Sequence, residues 1–371
     1  MNLKKDFTLH LESFKQRQVQ VDFGPAVLYI ESVKGCPYAC VMCRFKQTRP
    51  NRISEALLKK IDLNFKDLEI MAIHGQGEPL LADLNYFVEQ SARHKLILHM
   101  NTTGFLLTKE VADLLLRTRL SIRFSINAGR PETYKRIMGY DFDRVKRNIS
   151  YLVSKTKDSE ENHDFWFSYI VMKENIDEIE DFLQLASDCG IKSIRFMRLV
   201  PNWQSLIGFK MRDRDFKFNY FEQYNRRVAK KFLARLTEYQ TLSNKLDIKI
   251  EYSSILPKGI DMHPLLSMVN TVSTKMFPNN IFPLTRIRGS CMAPWFGQLI
   301  VNLKGDVKLC CSSSYILGSL NDSTLLEIWN SERMKTIRKS FAKGNKPRVC
   351  GYCNGFGLEN YPKNAFRELR S

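Results

Sequence analysis

At 371 residues, 44% of them hydrophobic and 11% aromatic, the chain can bury a full core as two domains or as one large barrel with an extension. It has no run of about 18 uninterrupted apolar residues, which excludes a membrane-spanning helix. Its start, Met1 to Asp6, is charged and lacks an apolar signal core, so the expected compartment is the cytoplasm. A formal net charge of +18 admits three explanations: a nucleic-acid partner, an acidic electron-transfer partner, or a solvated surface. The densest basic cluster is Arg226, Arg227, Lys230, Lys231 and Arg235. Its helical spacing around Phe232 and Leu236 reads first as an amphipathic surface helix.

Residues 1–24 precede the first strand, a run of branched and aromatic residues at 26–31. A loop holding Cys36, Cys40 and Cys43 follows directly. Ser54 opens a helix over 55–61. A second strand at 68–74 ends in Gly75-Gln76-Gly77-Glu78-Pro79. Then come a helix at 84–93, a strand at 96–100, the turn Asn101-Thr102-Thr103-Gly104 and a helix at 108–117. A strand at 120–126 ends in Asn127, Pro131 suits the first turn of the next helix, and a further helix covers 142–154. The pattern closes with a strand at 164–172, a helix at 176–189 stopped by Gly190, and a strand at 192–197. Alternation of this kind means an α/β fold, with parallel strands joined by crossover helices over residues 25–200. Ligands in such folds collect beyond the strand ends. The cysteine loop, Gly75–Pro79, Asn101–Gly104 and Asn127 all lie there.

The pattern loosens in a connector at 201–287, which includes one long helix at 219–239 and a stretch at 262–283 punctuated by Pro and Asn. Residues 288–355 contain a hairpin, 298–303 and 307–309, turning at Lys304-Gly305-Asp306. Cys310 and Cys311 end it, and a helix runs from Ser323 or Thr324 to about 341. Cys350 and Cys353 follow, and a tail occupies 356–371.

Apart from Cys189, a core residue before Gly190, the nine cysteines form two groups, one near each end of the chain. Without a secretory signal, such clusters favour metal or redox sites over disulfides. Three close thiols are awkward for zinc, which wants four ligands, although His74 or His99 could complete a set. They suit a 4Fe–4S cluster with one iron left open for a non-protein ligand.

With these residues in view, roughly residues 25–200 resemble a radical S-adenosylmethionine (SAM) enzyme. Cys36, Cys40 and Cys43 stand at the family's C-x3-C-x2-C spacing after the first strand, and Gly75-Gln76-Gly77-Glu78-Pro79 resembles its Gly-Gly-Glu-Pro stretch. The resemblance implies a partial (β/α)6 parallel barrel in which the three cysteines hold a 4Fe–4S cluster. It places Gly75, Gly77, Glu78 and Pro79 against SAM, with Glu78 at its ammonium group. Ser125 and Asn127 would surround the ribose and carboxylate, Asn101 and Thr103 would help from the neighbouring rim, and Arg198 is a further candidate for the carboxylate. The implied activity is reductive cleavage of SAM to a 5′-deoxyadenosyl radical, which abstracts a hydrogen atom from the substrate. A flavodoxin- or ferredoxin-type protein would be the electron donor. Met42 stands where the family often has an aromatic residue, and can still pack near adenine.

Residues 288–355 resemble the family's SPASM extension, a small α+β iron–sulfur domain built on a hairpin. Cys291, thirteen residues, Gly305, four residues and Cys310 fit its opening, and Cys350-x2-Cys353 its next element. A full set supports two auxiliary clusters, but no cysteine follows Cys353. The resemblance is therefore closer to the shortened, twitch-like form, with one auxiliary 4Fe–4S cluster on Cys291, Cys310, Cys350 and Cys353. Cys311 replaces Cys310 as ligand, is an inert thiol, or donates a hydrogen atom. A four-cysteine zinc site is the competing reading of this set. The expected substrate is a small polar or sugar-like molecule, oxidised or epimerised. A peptide comes second, since about two dozen residues before the first strand are too few for a leader-binding domain. RNA modification and a non-catalytic zinc-binding protein are the remaining alternatives.

Overall fold

The computed structural model describes residues 7–43, 45–46, 48–73, 75–156, 159, 161–200, 206–211, 216–252, 255, 291–311 and 313–350. Six strands lie parallel and in chain order: β1 Val27–Ile30, β2 Ile70–Ala72, β3 Ile97–Thr102, β4 Arg119–Ser125, β5 Asp164–Val171 and β6 Ser193–Arg198. Each falls where a run of branched and aromatic residues predicts it. The crossover helices Leu84–Arg93, Lys109–Leu115 and Phe142–Lys155 begin at Asp83, Thr108 and Asp141. These caps accept from the backbone N–H groups of Tyr86, Val111 and Arg144, donors the helix itself leaves unpaired.

Strand periodicity divides the sheet into two faces. Leu98, Met100, Ile122, Phe124, Phe167, Tyr169 and Phe196 are buried. Phe182 of helix Ile179–Asp188 packs on Phe167 and Tyr169, with centroids 5.6 and 4.4 Å away, which marks this as the helix-covered face. The alternate residues His99, Asn101, Ser121, Arg123, Asp164, Trp166 and Arg195 therefore line the opposite face, which is polar.

The sheet extends beyond the six strands on both sides. β7, Lys249–Glu251, lies parallel to β6, in a region where the sequence pattern predicts only connector. The hairpin strands β8 Gly297–Val301 and β9 Asp306–Lys308, followed by β10 Ile316–Ser319, are antiparallel to one another. β8 is nevertheless bonded in parallel to β1, with Leu28 opposite Leu299. The order is thus β7-β6-β5-β4-β3-β2-β1-β8-β9-β10, and the C-terminal hairpin shares the core sheet.

Two helices are broken where long ones were expected. The stretch 219–239 is divided between Tyr220–Gln223, Arg226–Ala234 and Leu236–Lys245. The cause is Asn225, whose side chain accepts from the N–H groups of Arg227 and Val228 and starts a new helix after the extended Tyr224. Likewise Ser331 caps Glu332–Ala342 anew after the capping-box helix Leu325–Trp329. An N-terminal helix, Thr8–Gln16, lies within the extension and sets Phe14 edge-on to Trp295 at 5.5 Å. Fully buried Arg338 secures the same corner, donating to the carbonyls of Pro294 (2.8 Å) and Val19 (3.2 Å). Burial lowers its pKa to about 9. Among the described residues, no helix is long and apolar enough to cross a membrane. The predicted stretch 262–283, the tail 356–371, His74 and Cys353 lie outside the described residues.

Candidate active site

The cysteine loop is held at both ends. Val33–Gly35 pairs antiparallel with Asn51–Arg52 and in parallel with Gln76–Gly77, bracketing the loop with a three-stranded sheet. The N–H of Cys36 donates to Thr48 Oγ1 (2.9 Å), and the N–H of Thr48 donates back to the Cys36 carbonyl (2.8 Å). Gly35 has φ 95°, and a Cβ on Gly77 would stand 2.5 Å from the Gly35 carbonyl oxygen. Both glycines are thus required by the loop's own packing as well as by any close ligand.

Within the loop, the Cys43 N–H bonds the Cys40 carbonyl (3.0 Å) and the Phe45 N–H reaches Cys43 Sγ (3.3 Å). Burial, with the charges of Glu78 and Cys43, pushes the Cys36 thiol up to about 11. Burial and the other two cysteines raise Cys40 further. Burial holds Cys36 and Cys40 toward the neutral thiol, so they need a cationic partner to exist as thiolates, and soft sulfur ligands fit iron. Among the described residues, no three His, Cys, Asp or Glu side chains converge on a single-ion site. An aromatic cluster of Tyr38, Phe105, Tyr134 and Tyr140 flanks the loop, with centroids 5.0–5.7 Å apart.

The residues expected at SAM fall into two groups. Gly75, Gly77 and Pro79 lie on the loop after β2, Asn101 and Thr103 at the end of β3, Ser125 at the end of β4, and Arg198 at the end of β6. They share the strand-end rim with the cysteine loop. Several, however, carry structural bonds. Glu78 is buried, and its carboxylate accepts from Thr102 Oγ1 (2.5 Å), from the N–H and hydroxyl of Thr103 (both 3.2 Å) and from the Leu80 N–H (3.3 Å). It braces the β2 loop to β3, a demand that competes with the ammonium role expected of it. Burial outweighs these donors and raises its pKa. Asn127 is also buried. It accepts from the Ile170 N–H (2.8 Å), and its carbonyl accepts from Asn175 (2.8 Å). Asn101 accepts from Arg123 Nε (2.7 Å).

That last bond belongs to a constellation the sequence reading missed. Trp166 has the guanidinium of Arg123 at 5.0 Å and that of Arg195 at 4.5 Å from its ring. Arg195 pairs with Glu251 at 2.9 Å. His99, whose Nδ1 lies 3.1 Å from Ser121 Oγ, is held down at about 3 by burial first and then by Arg123 and Arg195. Strict alternation on β3–β6 was the signal that could have found this polar wall. His99 also yields a stability prediction. Its folded pKa lies below the unfolded value of about 6.5, so the unfolded chain binds the extra proton. Stability is then lost as pH falls below about 6.5, by about 1.4 kcal/mol per unit. Urea midpoints between pH 7 and 5.5 should fall in the wild type and fall less steeply in His99→Gln.

At the other end of the chain, Cys291, Cys310 and Cys350 are half-buried, while Cys311 is exposed. Ser313, beyond the hairpin, donates to the carbonyl of Val349 (3.2 Å), and its N–H bonds the Cys310 carbonyl (3.3 Å). The end of β9 is thereby tied to the turn carrying Cys350. The basic helix expected as a surface element is partly neutralised: Lys231 pairs with Asp177 (2.6 Å), and Arg235 with Glu180 (2.7 Å) and Glu238 (2.9 Å).

Comparison with known proteins agrees with this architecture. Residues 30–186 match the Radical SAM superfamily, and residues 291–354 match SPASM, an iron-sulfur cluster-binding domain. The chain is 25% identical to the mycofactocin maturase MftC of Mycolicibacterium smegmatis over 185 residues, covering 48% of this chain and 46% of that one. It is 28% identical to a probable GTP 3′,8-cyclase of Saccharolobus islandicus over 187 residues, covering 48% and 58%. The chain thus spans about half the length of these curated relatives. Among solved structures, Streptococcus suis SuiB bound to S-adenosylmethionine superimposes with TM-score 0.59 at 15% identity, covering 89% of this chain and 71% of that one. Native anSMEcpe with bound AdoMet does so with TM-score 0.59 at 18% identity, covering 90% and 88%; at such identities the likeness shows the fold alone. With a cysteine loop on the first strand of a parallel α/β sheet and a cysteine-bearing hairpin at its edge, the chain is a radical SAM protein with a C-terminal SPASM iron–sulfur domain, and its cofactors are SAM and 4Fe–4S clusters.

Proposed function

We propose that the protein abstracts a hydrogen atom from a small polar substrate held against the polar wall of the barrel, and that the reaction is an oxidation. Cys36, Cys40 and Cys43 would hold the core cluster. Cys291, Cys310, Cys350 and Cys353 would hold one auxiliary cluster. When bound, the core cluster and SAM supply the 5′-deoxyadenosyl radical, and the auxiliary cluster an acceptor for the substrate's electron. The chain's own residues position and shield. The Glu78–Thr102–Thr103 brace fixes the rim loops, and the Tyr38, Phe105, Tyr134 and Tyr140 rings exclude water beside the cysteines.

The observation that carries the substrate class is the Arg123–Trp166–Arg195 row, with Asn101 and Glu251 at its ends. A wall of donors and acceptors costs less to cover with a polar molecule than with an apolar one. A peptide substrate is the second reading, favoured by the likeness to a maturase. The paired Lys231 and Arg235 speak against RNA.

Both readings are tested by anaerobic reconstitution with dithionite and SAM. Deuterium transfer into 5′-deoxyadenosine is followed from perdeuterated sugars, aminocyclitols and nucleotides, and separately from peptides. Transfer from a polar small molecule that is lost in Arg123→Gln, while substrate-free 5′-deoxyadenosine formation persists, supports the proposal. Transfer from peptides alone overturns the substrate class.

A further inference from the structure

Helix Pro131–Met138 stops at Gly139, which takes φ 89° as its left-handed cap. The next residue, Tyr140, is turned onto the cysteine loop, where its hydroxyl lies 3.8 Å from Cys40 Sγ. This approach is not a chance surface contact. The same helix end accepts the N–H of Val41, the residue after Cys40, at its Ile137 carbonyl (2.9 Å). One element thus fixes both the backbone beside Cys40 and the hydroxyl above its sulfur. The ring is held on three sides, by Tyr38 and Phe105 at 5.0 Å and Tyr134 at 5.4 Å, which leaves the hydroxyl little freedom to swing away.

We propose that Tyr140 donates a hydrogen bond to the Cys40 sulfur in the cluster-loaded protein and raises the reduction potential of the core cluster. A thiolate ligating iron has no proton, so in this pair the phenol is the donor. Reduction adds negative charge, part of it on the ligating sulfurs, and a hydrogen bond to sulfur stabilises that charge. Tyr140 is therefore a positioning and tuning residue: it eases entry of the electron without touching substrate. Neither the C-x3-C-x2-C loop nor the glycine-rich stretch encodes this contact.

The proposal rests on Cys36, Cys40 and Cys43 being the cluster ligands, and its test separates the two. In holoenzyme, the core cluster is identified as the EPR signal that changes when SAM is added, and its midpoint potential is read by redox titration. Tyr140→Phe keeps the ring and removes the hydroxyl. The expected result is full iron content, a SAM-responsive signal and a midpoint shifted to lower potential, with Tyr86→Phe, which removes a hydroxyl bonded to the Leu58 carbonyl (3.0 Å), unshifted. Replacing Tyr140 by 3-fluorotyrosine, a more acidic donor, is expected to shift the midpoint upward, and this arm decides if Tyr140→Phe fails to fold. A loaded, SAM-responsive Tyr140→Phe protein with unchanged potential overturns the proposal. So does an equal shift in Tyr86→Phe, since any lost hydroxyl would then suffice. Persistence of that SAM-responsive signal in a Cys36, Cys40, Cys43 triple alanine variant would instead overturn the ligand assignment.

Discussion

Protein in which Cys36, Cys40 and Cys43 are all alanine is expected, after anaerobic reconstitution, to hold about four fewer irons per chain than wild type. It should form no 5′-deoxyadenosine with dithionite and SAM. The physical reason lies in the loop. Gly35 and Gly77 and the Cys36–Thr48 bonds hold its ends, so replacing the thiols removes the ligands and leaves the scaffold that presents them. Burial also makes the Cys36 and Cys40 thiols reluctant to ionise, so these two gain their charge together with iron. Iron analysis and chromatography of the quenched reaction check both parts. Wild-type iron content in the triple variant would refute the assignment of these ligands.

The second large effect concerns the two neighbouring thiols of the hairpin. Cys310→Ala is expected to lose about four irons, to keep cleaving SAM and to lose turnover of substrate, whereas Cys311→Ala keeps its full iron content. Cys310 is half-buried and lies beside the Ser313–Val349 bond that leads to Cys350, while Cys311 is exposed. A ligand to a cluster shared with Cys350 must be on the inner side of that tie. Loss of iron in Cys311→Ala, with none in Cys310→Ala, would exchange the two roles. A proportionate loss of SAM cleavage would show that the C-terminal cysteines serve the core cluster instead.

Much of this architecture was legible before any coordinates. Six strands and their crossover helices were readable because apolar periodicity and start and stop residues such as Ser54, Pro131 and Gly190 are local signals. Helix continuity was misread at 219–239, where one asparagine side chain, Asn225, competes with the helix for its own N–H groups. β7 was overlooked because three residues, Lys249–Glu251, carry no period of their own and become a strand only beside β6. Glu78 was read from its glycine neighbours as a ligand group; that its carboxylate also accepts from Thr102 and Thr103, more than twenty residues away, is a contact no local pattern carries.

By itself the sequence determined what chemistry this chain can support: two groups of cysteines, a glycine-rich acidic stretch after the second strand, and an alternation that places them at strand ends. Spacing and period are properties of neighbours along the chain, so they survive without a fold. Only the tertiary structure decided which side chains meet across it. Arg123 and Arg195 flank Trp166, Arg338 is buried on the carbonyls of Pro294 and Val19, the C-terminal hairpin joins the core sheet at β1, and Tyr140 stands over Cys40. Those contacts join residues separated by tens to hundreds of positions, and no local pattern encodes them.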